Sequence, residues 1–389
     1  ILSGLVGSEM CIRDRWMLSV LAERNIDDSQ IAESMRALSS DNVEHQVDFF
    51  EDFYIARTQD TREYDGLNKP KQLVSAARRK LFKDPAVQKD VIDVLDLPQR
   101  INHEVDLMRA LTPHWMALRN YENLSFLTPA VFRMQDHFEW LDCRLWILLK
   151  RVLNHKAAYP FLMVAAESMR NSPDQYGELV HSIEKWFFRY RTICGLSEAK
   201  VVGVYSTLLR ISDAAGRVDL EQVRAILNKA IDEDAPDDLF IVKLSEKLKY
   251  TKQSSHIRTK YFFEMIDAHS AGNGHNKKRT KLLLNNGWHL EHIVPQNPLP
   301  GDPDLPFEDA DSLGNLCLLS PNINQRLSNL NFVGKQAEAK RIRSEENESI
   351  EVSDSAQIFY ESTSSEWTSQ DVRTRINWLN GRAVSVFRA

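Results

Sequence analysis

The sequence predicts a mainly α-helical chain that carries one small antiparallel strand pair toward its C-terminal end. Three patterns predict it. Apolar residues recur at three- and four-residue steps through much of the first 250 positions, the spacing of a buried helix face. Two short apolar runs, Trp288–Val294 and Leu316–Leu319, stand apart from that periodicity, each bounded by turn residues. Ser320 followed by Pro321 then reads as a helix N-cap with proline at the first helical position.

In chain order, residues 1–15 show no initiator Met and no structural pattern. They read as a translated sequencing-adapter fragment, set apart from the fold, with natural residues expected from about Trp16. Residues 16–250 form a helical region. Ile101, Val105, Met108 and Leu111 make one stripe ahead of Pro113. Phe138, Leu141, Leu145, Leu148 and Val152 make a second, and Ile183, Trp186, Phe187, Tyr190 and Cys194 a third. The aromatic positions Trp140, Trp146 and Trp186 read as core, and Val218-Asp-Leu-Glu-Gln-Val opens another helix.

Residues 251–389 form a second domain. Trp288–Val294 is a strand stopped by Pro295, and Gly314 marks a tight turn into the strand Leu316–Leu319. Ile323, Leu327 and Leu330 fall at i, i+4 and i+7, so they define the buried face of the helix beginning at Pro321, with Asn324 beside that face in the first turn. A polar, acidic stretch from Ser344 to Ser355 is expected to loop out before a final helix over Asp371–Asn380.

Composition narrows the function classes. A hydrophobic content of 43% and a charged content of 27% describe an ordinary globular protein. Cys11, Cys143, Cys194 and Cys317 have no pairing or metal spacing, which suits a reducing, cytoplasmic setting. The longest apolar runs, such as Phe161–Ala166, are far too short to span a bilayer, so no membrane association is expected. No P-loop is present. The net charge of −6 is unevenly spread: residues 251–343 hold 12 Lys/Arg against 9 Asp/Glu. Lys277, Lys278 and Arg279, with Lys281, sit just ahead of Trp288 as candidate phosphate contacts, although beside Gly272 and Gly274 they read equally as a solvated loop.

The chemistry concentrates in residues 288–335. Glu291-His292, then Asn315, then Asn324 nine positions later reproduce the spacing of an HNH-type nuclease. Phosphodiester hydrolysis needs a nucleophile made near neutral pH, a task for neutral imidazole, so His292 is the candidate base. Charge gathering on phosphoryl oxygens calls for a divalent cation. Glu291 offers a carboxylate and Asn324 an amide oxygen, an all-oxygen set that favours Mg²⁺ or Mn²⁺ over zinc. Asn315 is placed to hydrogen-bond the backbone or ring that orients His292. Adjacent strand residues normally face opposite sides, so Glu291 and His292 share one site only at a twisted or bulged strand end. Strand, strand and helix with functional groups at the inner edge is the ββα-metal layout. His289 and His292 as a zinc pair would need two further ligands, and none stand at suitable spacing.

Glu291-His-Ile-Val-Pro295, Leu313-Gly-Asn-Leu316, Asn322-Ile-Asn324 with Leu327-Ser-Asn329, and Phe332-Val-Gly-Lys335 together resemble the HNH-like C-terminal domain of GmrSD-type type IV restriction enzymes. Arg258-Thr-Lys260-Tyr261, with Phe262 and Phe263, resembles the helix that precedes those motifs in that family. The resemblance implies metal-dependent cleavage of modified, often phage-derived, DNA. It carries His292 over as base, Glu291 and Asn324 as metal ligands, Asn315 as the orienting residue and Lys335 as a weak substrate contact. That family also carries a nucleotide-binding half with an Asp-Gly-Gln-Gln-Arg-type motif. Asp65-Gly66-Leu67 does not match it, so that half is expected to be missing from this chain. The alternative is a catalytically silent DNA-binding or interaction module with the same fold.

Overall fold

The computed structural model describes residues 43–58, 97–119, 144–145, 147–212, 217–250, 256–270, 288–345 and 353–389. Helix dominates them. In chain order the elements are α1 (Val43–Thr58), α2 (Leu97–Arg119), α3 (Tyr159–Ser168), α4 (Pro173–Phe187), α5 (Glu198–Ile211), α6 (Leu220–Asp234), α7 (Asp237–Lys247), α8 (His256–Ser270), β1 (His289–His292), α9 (Phe307–Ala310), β2 (Leu316–Leu319), α10 (Pro321–Leu327), α11 (Phe332–Glu345), α12 (Ile358–Glu361) and α13 (Ser369–Val386). Lys277, Lys278 and Arg279 lie outside the described residues, as do Phe138, Trp140, Leu141 and Trp146. The stripe positions that are described, Leu145, Leu148, Val152, Ile183, Trp186 and Tyr190, are buried, whereas Cys194 is half-buried.

The chain divides into two compact units. Of the described residues, the first holds 43–58, 97–119, 155–180, 197–212 and 217–226. There α2 packs on α3, α1 on both, and α3 on α5, around Phe49, Phe53, Trp115, Phe161 and Leu162. Trp115 and Arg57 enter this core with partners, as desolvation requires. Trp115 Nε1 donates to Asp52 Oδ2 at 2.7 Å, and Arg57 forks onto both Glu104 oxygens at 2.9 and 2.8 Å. Helix α2 continues through Pro113, which stands on its exposed side.

The second unit holds 144–145, 147–154, 181–196, 227–250, 256–270, 288–345 and 353–389, so residue 250 falls inside it. Its sheet is the antiparallel pair β1–β2, with His289 opposite Leu319, Leu290 opposite Leu318, Glu291 opposite Cys317 and His292 opposite Leu316. Every residue of β2 is buried, which accounts for its unbroken apolar sequence. Cys317 and Leu319 join the core with Ile323, Leu327, Phe332 and Val372, leaving Leu316 and Leu318 for the opposite face. Helix α8 packs against both strands, α10 against β1, and α11 against α10.

Ser320 caps α10, its side chain accepting from Ile323 N with Pro321 in the first turn. The helix ends at Leu327 because Ser328 takes a positive φ of 40°, and α11 starts afresh at Phe332. Leu330 therefore does not extend the buried face but is 38% exposed. Of the polar stretch Ser344–Ser355, residues 346–352 lie outside the described residues. At its ends, α11 runs on to Glu345, and Ser353 and Ser355 are buried, because their hydroxyls bond each other at 2.6 Å, Asp267 Oδ2 at 2.7 Å and Leu318 N at 2.8 Å. The final helix is longer than Asp371–Asn380, opening on a capping box between Thr368 and Asp371.

Candidate active site

The turn between α9 and β2 is the anchor. Helix α13 lies so close to Gly314 that an added Cβ would overlap the Val372 carbonyl oxygen and come within 2.9 Å of Ile376 Cγ1. Close approach, not a left-handed backbone, is what requires glycine here. Arg375 then reaches from α13 to the Gly314 and Leu316 carbonyls at 2.9 and 2.7 Å and to Ser355 O at 2.8 Å. Enclosure lowers its pKa to about 10.

Asn315, fully buried, follows directly. Its Oδ1 accepts from Val294 N at 2.9 Å, and its Nδ2 donates to Val294 O at 3.1 Å and to Ala310 O at 2.8 Å. Its carbonyl also accepts from Ile293 N at 2.8 Å. Asn315 thus holds the backbone that leaves β1 immediately after His292, and it does not touch the imidazole.

His292 is 5% exposed. Its Nε2 lies 3.2 Å from Asp311 Oδ1, and its ring packs against Tyr250 with centroids 4.3 Å apart. Asp311 is itself held: Gln296 Nε2 donates to Oδ1 at 2.5 Å, and Tyr250 N donates to its carbonyl at 2.8 Å. Burial drives the His292 pKa below its ordinary value, with Asp311 and Glu291 opposing, so the ring is neutral at pH 7. With Nε2 directed at a carboxylate, the neutral ring carries its proton there and its lone pair on Nδ1. That atom has no hydrogen-bond partner among the described residues.

Glu291 occupies the other face of β1. Burial along the strand alternates, with Leu290 and His292 buried, Glu291 half-buried and His289 exposed. The strand therefore does not turn Glu291 and His292 to the same side. Glu291 shares its face with Cys317 opposite and with His289, and Asn324 of α10 meets that face, its Nδ2 2.9 Å from His289 Nδ1. Asn324 Oδ1 is sealed from solvent with no hydrogen-bond partner among the described residues. Glu291 Oε1 accepts from His292 N at 3.0 Å, while Oε2 has no hydrogen-bond partner among the described residues. Lys335 of α11 joins the two faces. It is fully enclosed, its Nζ donating to His292 O at 2.5 Å and lying 3.7 Å from Glu291 Oε1.

The donor set fits a hard divalent cation. An orphaned, buried amide oxygen is costly unless something positive approaches it, and an open carboxylate oxygen lies on the same strand face. Magnesium is commonly held by one or two carboxylates plus water and substrate phosphate. Among the described residues no group of three or more His, Cys, Asp or Glu could hold a metal, so a closed zinc-type site is not formed by them. The Cys317 thiol opposite Glu291 is pushed up to about 12 by burial and stays neutral.

Asp311, Tyr250 and His289 were not singled out as site residues by sequence reasoning. Asp311 lies 19 positions from His292 with no motif joining them, so only the fold pairs them. His289 carried a weak signal, standing two residues before Glu291 on a strand and hence on its face.

Comparison with curated proteins gives no match. Residues 234–380 match the family described as GmrSD restriction endonucleases, C-terminal domain. The matched segment includes both strands, α10, α11 and every site residue named above. The likeness is to that family and covers residues 234–380, well under half of the chain.

Proposed function

We propose that the chain is a metal-dependent DNA endonuclease of the HNH type, with β1, β2 and α10 as its ββα-metal core and modified phage DNA as its substrate. The observation that supports this reading best is a set of three acceptors with no donor among the described residues: His292 Nδ1, Glu291 Oε2 and Asn324 Oδ1. In this reading His292 Nδ1 takes a proton from water attacking the phosphodiester, and Asp311 steadies the imidazolium through Nε2. Glu291 and Asn324 would hold Mg²⁺ or Mn²⁺, which when bound neutralises charge on the phosphoryl and leaving oxygens. Asn315 keeps the backbone after His292 fixed while the proton moves. Such positioned acid–base groups contribute about 10²–10⁴-fold in rate.

A second assignment has its own observation. His289 shares a strand face with Glu291 and touches Asn324, so His289 rather than His292 would act as base if both groups must approach the phosphate from one side.

The test is cleavage of supercoiled plasmid and of base-modified phage DNA across a Mg²⁺ and Mn²⁺ series. Cleavage that requires metal, with Glu291→Gln and Asn324→Ala each raising the concentration needed, is the expected result. Undiminished cleavage in EDTA would overturn the reading.

A further inference from the structure

We propose that Lys335 is the built-in counter-cation of Glu291, a positioning residue that keeps divalent metal weakly bound until DNA phosphate arrives. This rests on the metal-dependent reading above. A side chain with no exposed surface cannot contact a phosphate unless α11 moves, so Lys335 is not a substrate contact in this structure. Its amine instead closes a small ring with the strand. Lys335 Nζ donates to His292 O, His292 N donates to Glu291 Oε1, and that oxygen lies 3.7 Å from Nζ. Cys317, the other polarisable group beside it, is neutral, so Glu291 supplies the balancing charge.

Two consequences follow from Coulomb's law. With Lys335 paired to it, the carboxylate has part of its negative charge already neutralised. A metal ion joining Glu291 would also meet the ammonium a few ångström away in partly dehydrated protein. At an effective dielectric of about 20, unit charges about 4 Å apart shift an equilibrium well beyond tenfold. Metal affinity of the DNA-free protein is therefore held down. A phosphate entering the site adds the negative charge that Lys335 has offset, so metal and DNA bind with positive coupling. The lysine also ties the Glu291 carboxylate to the His292 peptide, linking the two faces of β1.

The experiment has two arms, each run on the full chain and on Lys335→Met, a swap of similar volume that removes a buried charge. If that variant fails to fold, Lys335→Gln replaces it, since Gln still donates to the His292 carbonyl. The first arm titrates free Mn²⁺ by electron paramagnetic resonance without DNA. The neutral variant is expected to bind Mn²⁺ at least about tenfold more tightly than the parent, and adding Glu291→Gln should erase the gain. The second arm follows duplex binding in EDTA across a salt series. An unchanged slope is expected, because a lost phosphate contact would lower it by about one. Glu291-dependent Mn²⁺ binding that is not strengthened in the variant, or a slope lowered by one, overturns the Lys335 proposal alone. Absence of any Glu291-dependent Mn²⁺ binding in parent and variant, with and without DNA, overturns the metal-dependent reading itself.

Discussion

Replacing Gly314 by alanine tests how the turn before β2 is held, and the expected size can be worked from its surroundings. The new Cβ would overlap the Val372 carbonyl oxygen and sit 2.9 Å from Ile376 Cγ1 and Val372 Cγ1. Carbon atoms prefer about 3.5–4.0 Å, so α13 must retreat by roughly 0.6–1 Å. A backbone oxygen cannot rotate away, which puts the overpacking cost near the upper end of its usual range, about 3 kcal/mol. Against this, alanine restricts the unfolded chain and returns about 0.4–1 kcal/mol. The clash wins, for a net loss of about 2 kcal/mol, and more if the Arg375 bonds to Gly314 O and Leu316 O stretch. In a unit of this size that lowers Tm by roughly 4–8 °C. Gly381, on the same helix α13, is the control. A Cβ there meets nothing within 4 Å, so Gly381→Ala should stabilise by about 0.5–1 kcal/mol. Urea and thermal unfolding of the two variants are the assay. Equal stability of Gly314→Ala and parent, or equal losses at both glycines, would refute the close-approach explanation.

Other expectations concern the residues the fold reveals. Asp311→Asn removes the carboxylate that orients His292, and cleavage should fall about 10–100-fold with no change in the metal requirement; a shifted metal requirement would instead make Asp311 a ligand. Arg375→Ala strands the Gly314, Leu316 and Ser355 carbonyls and should cost roughly 3 kcal/mol or more in urea unfolding, while Arg373→Ala on the exposed side of the same helix costs little. Burial pushes the Asp52 carboxyl up to about 7, so the native chain keeps a proton that the unfolded chain has shed. Its contribution is therefore favourable in acid and is lost as pH rises from about 4 through 7. The Tm difference between Asp52→Asn and parent should accordingly grow in favour of the variant over that window, and a pH-independent difference would contradict it.

Much of the site was legible because its residues announce themselves locally. Ser320-Pro321 caps α10, Pro295 ends the segment after β1, and the apolar runs on either side of Gly314 pair as strands. The mainly helical character followed from three- and four-residue spacing, and Trp186 is core as its stripe requires. What escaped depends on contacts distant in sequence. Gly314 reads as a generic turn glycine until α13, some 60 residues later, is seen pressing on it. Ser353 and Ser355 look like solvated linker but are drawn inward by Asp267 and Leu318 N. Leu330 fits the helical repeat, yet Ser328 breaks the helix first. Lys335 has the composition of a DNA contact and the burial of a core residue, and only packing distinguishes the two.

In the proposed reaction His292, held by Asp311, is the general base. The most direct measurement compares single-turnover plasmid cleavage by His292→Ala and His289→Ala at saturating Mg²⁺, with duplex binding and Tm recorded for each. We expect His292→Ala to lose about 10²–10⁴-fold in rate while DNA binding and Tm stay near the parent, and His289→Ala to retain most of the rate. Metal-dependent cleavage that survives His292→Ala and is lost in His289→Ala would contradict it and move the base to the Glu291 face of β1.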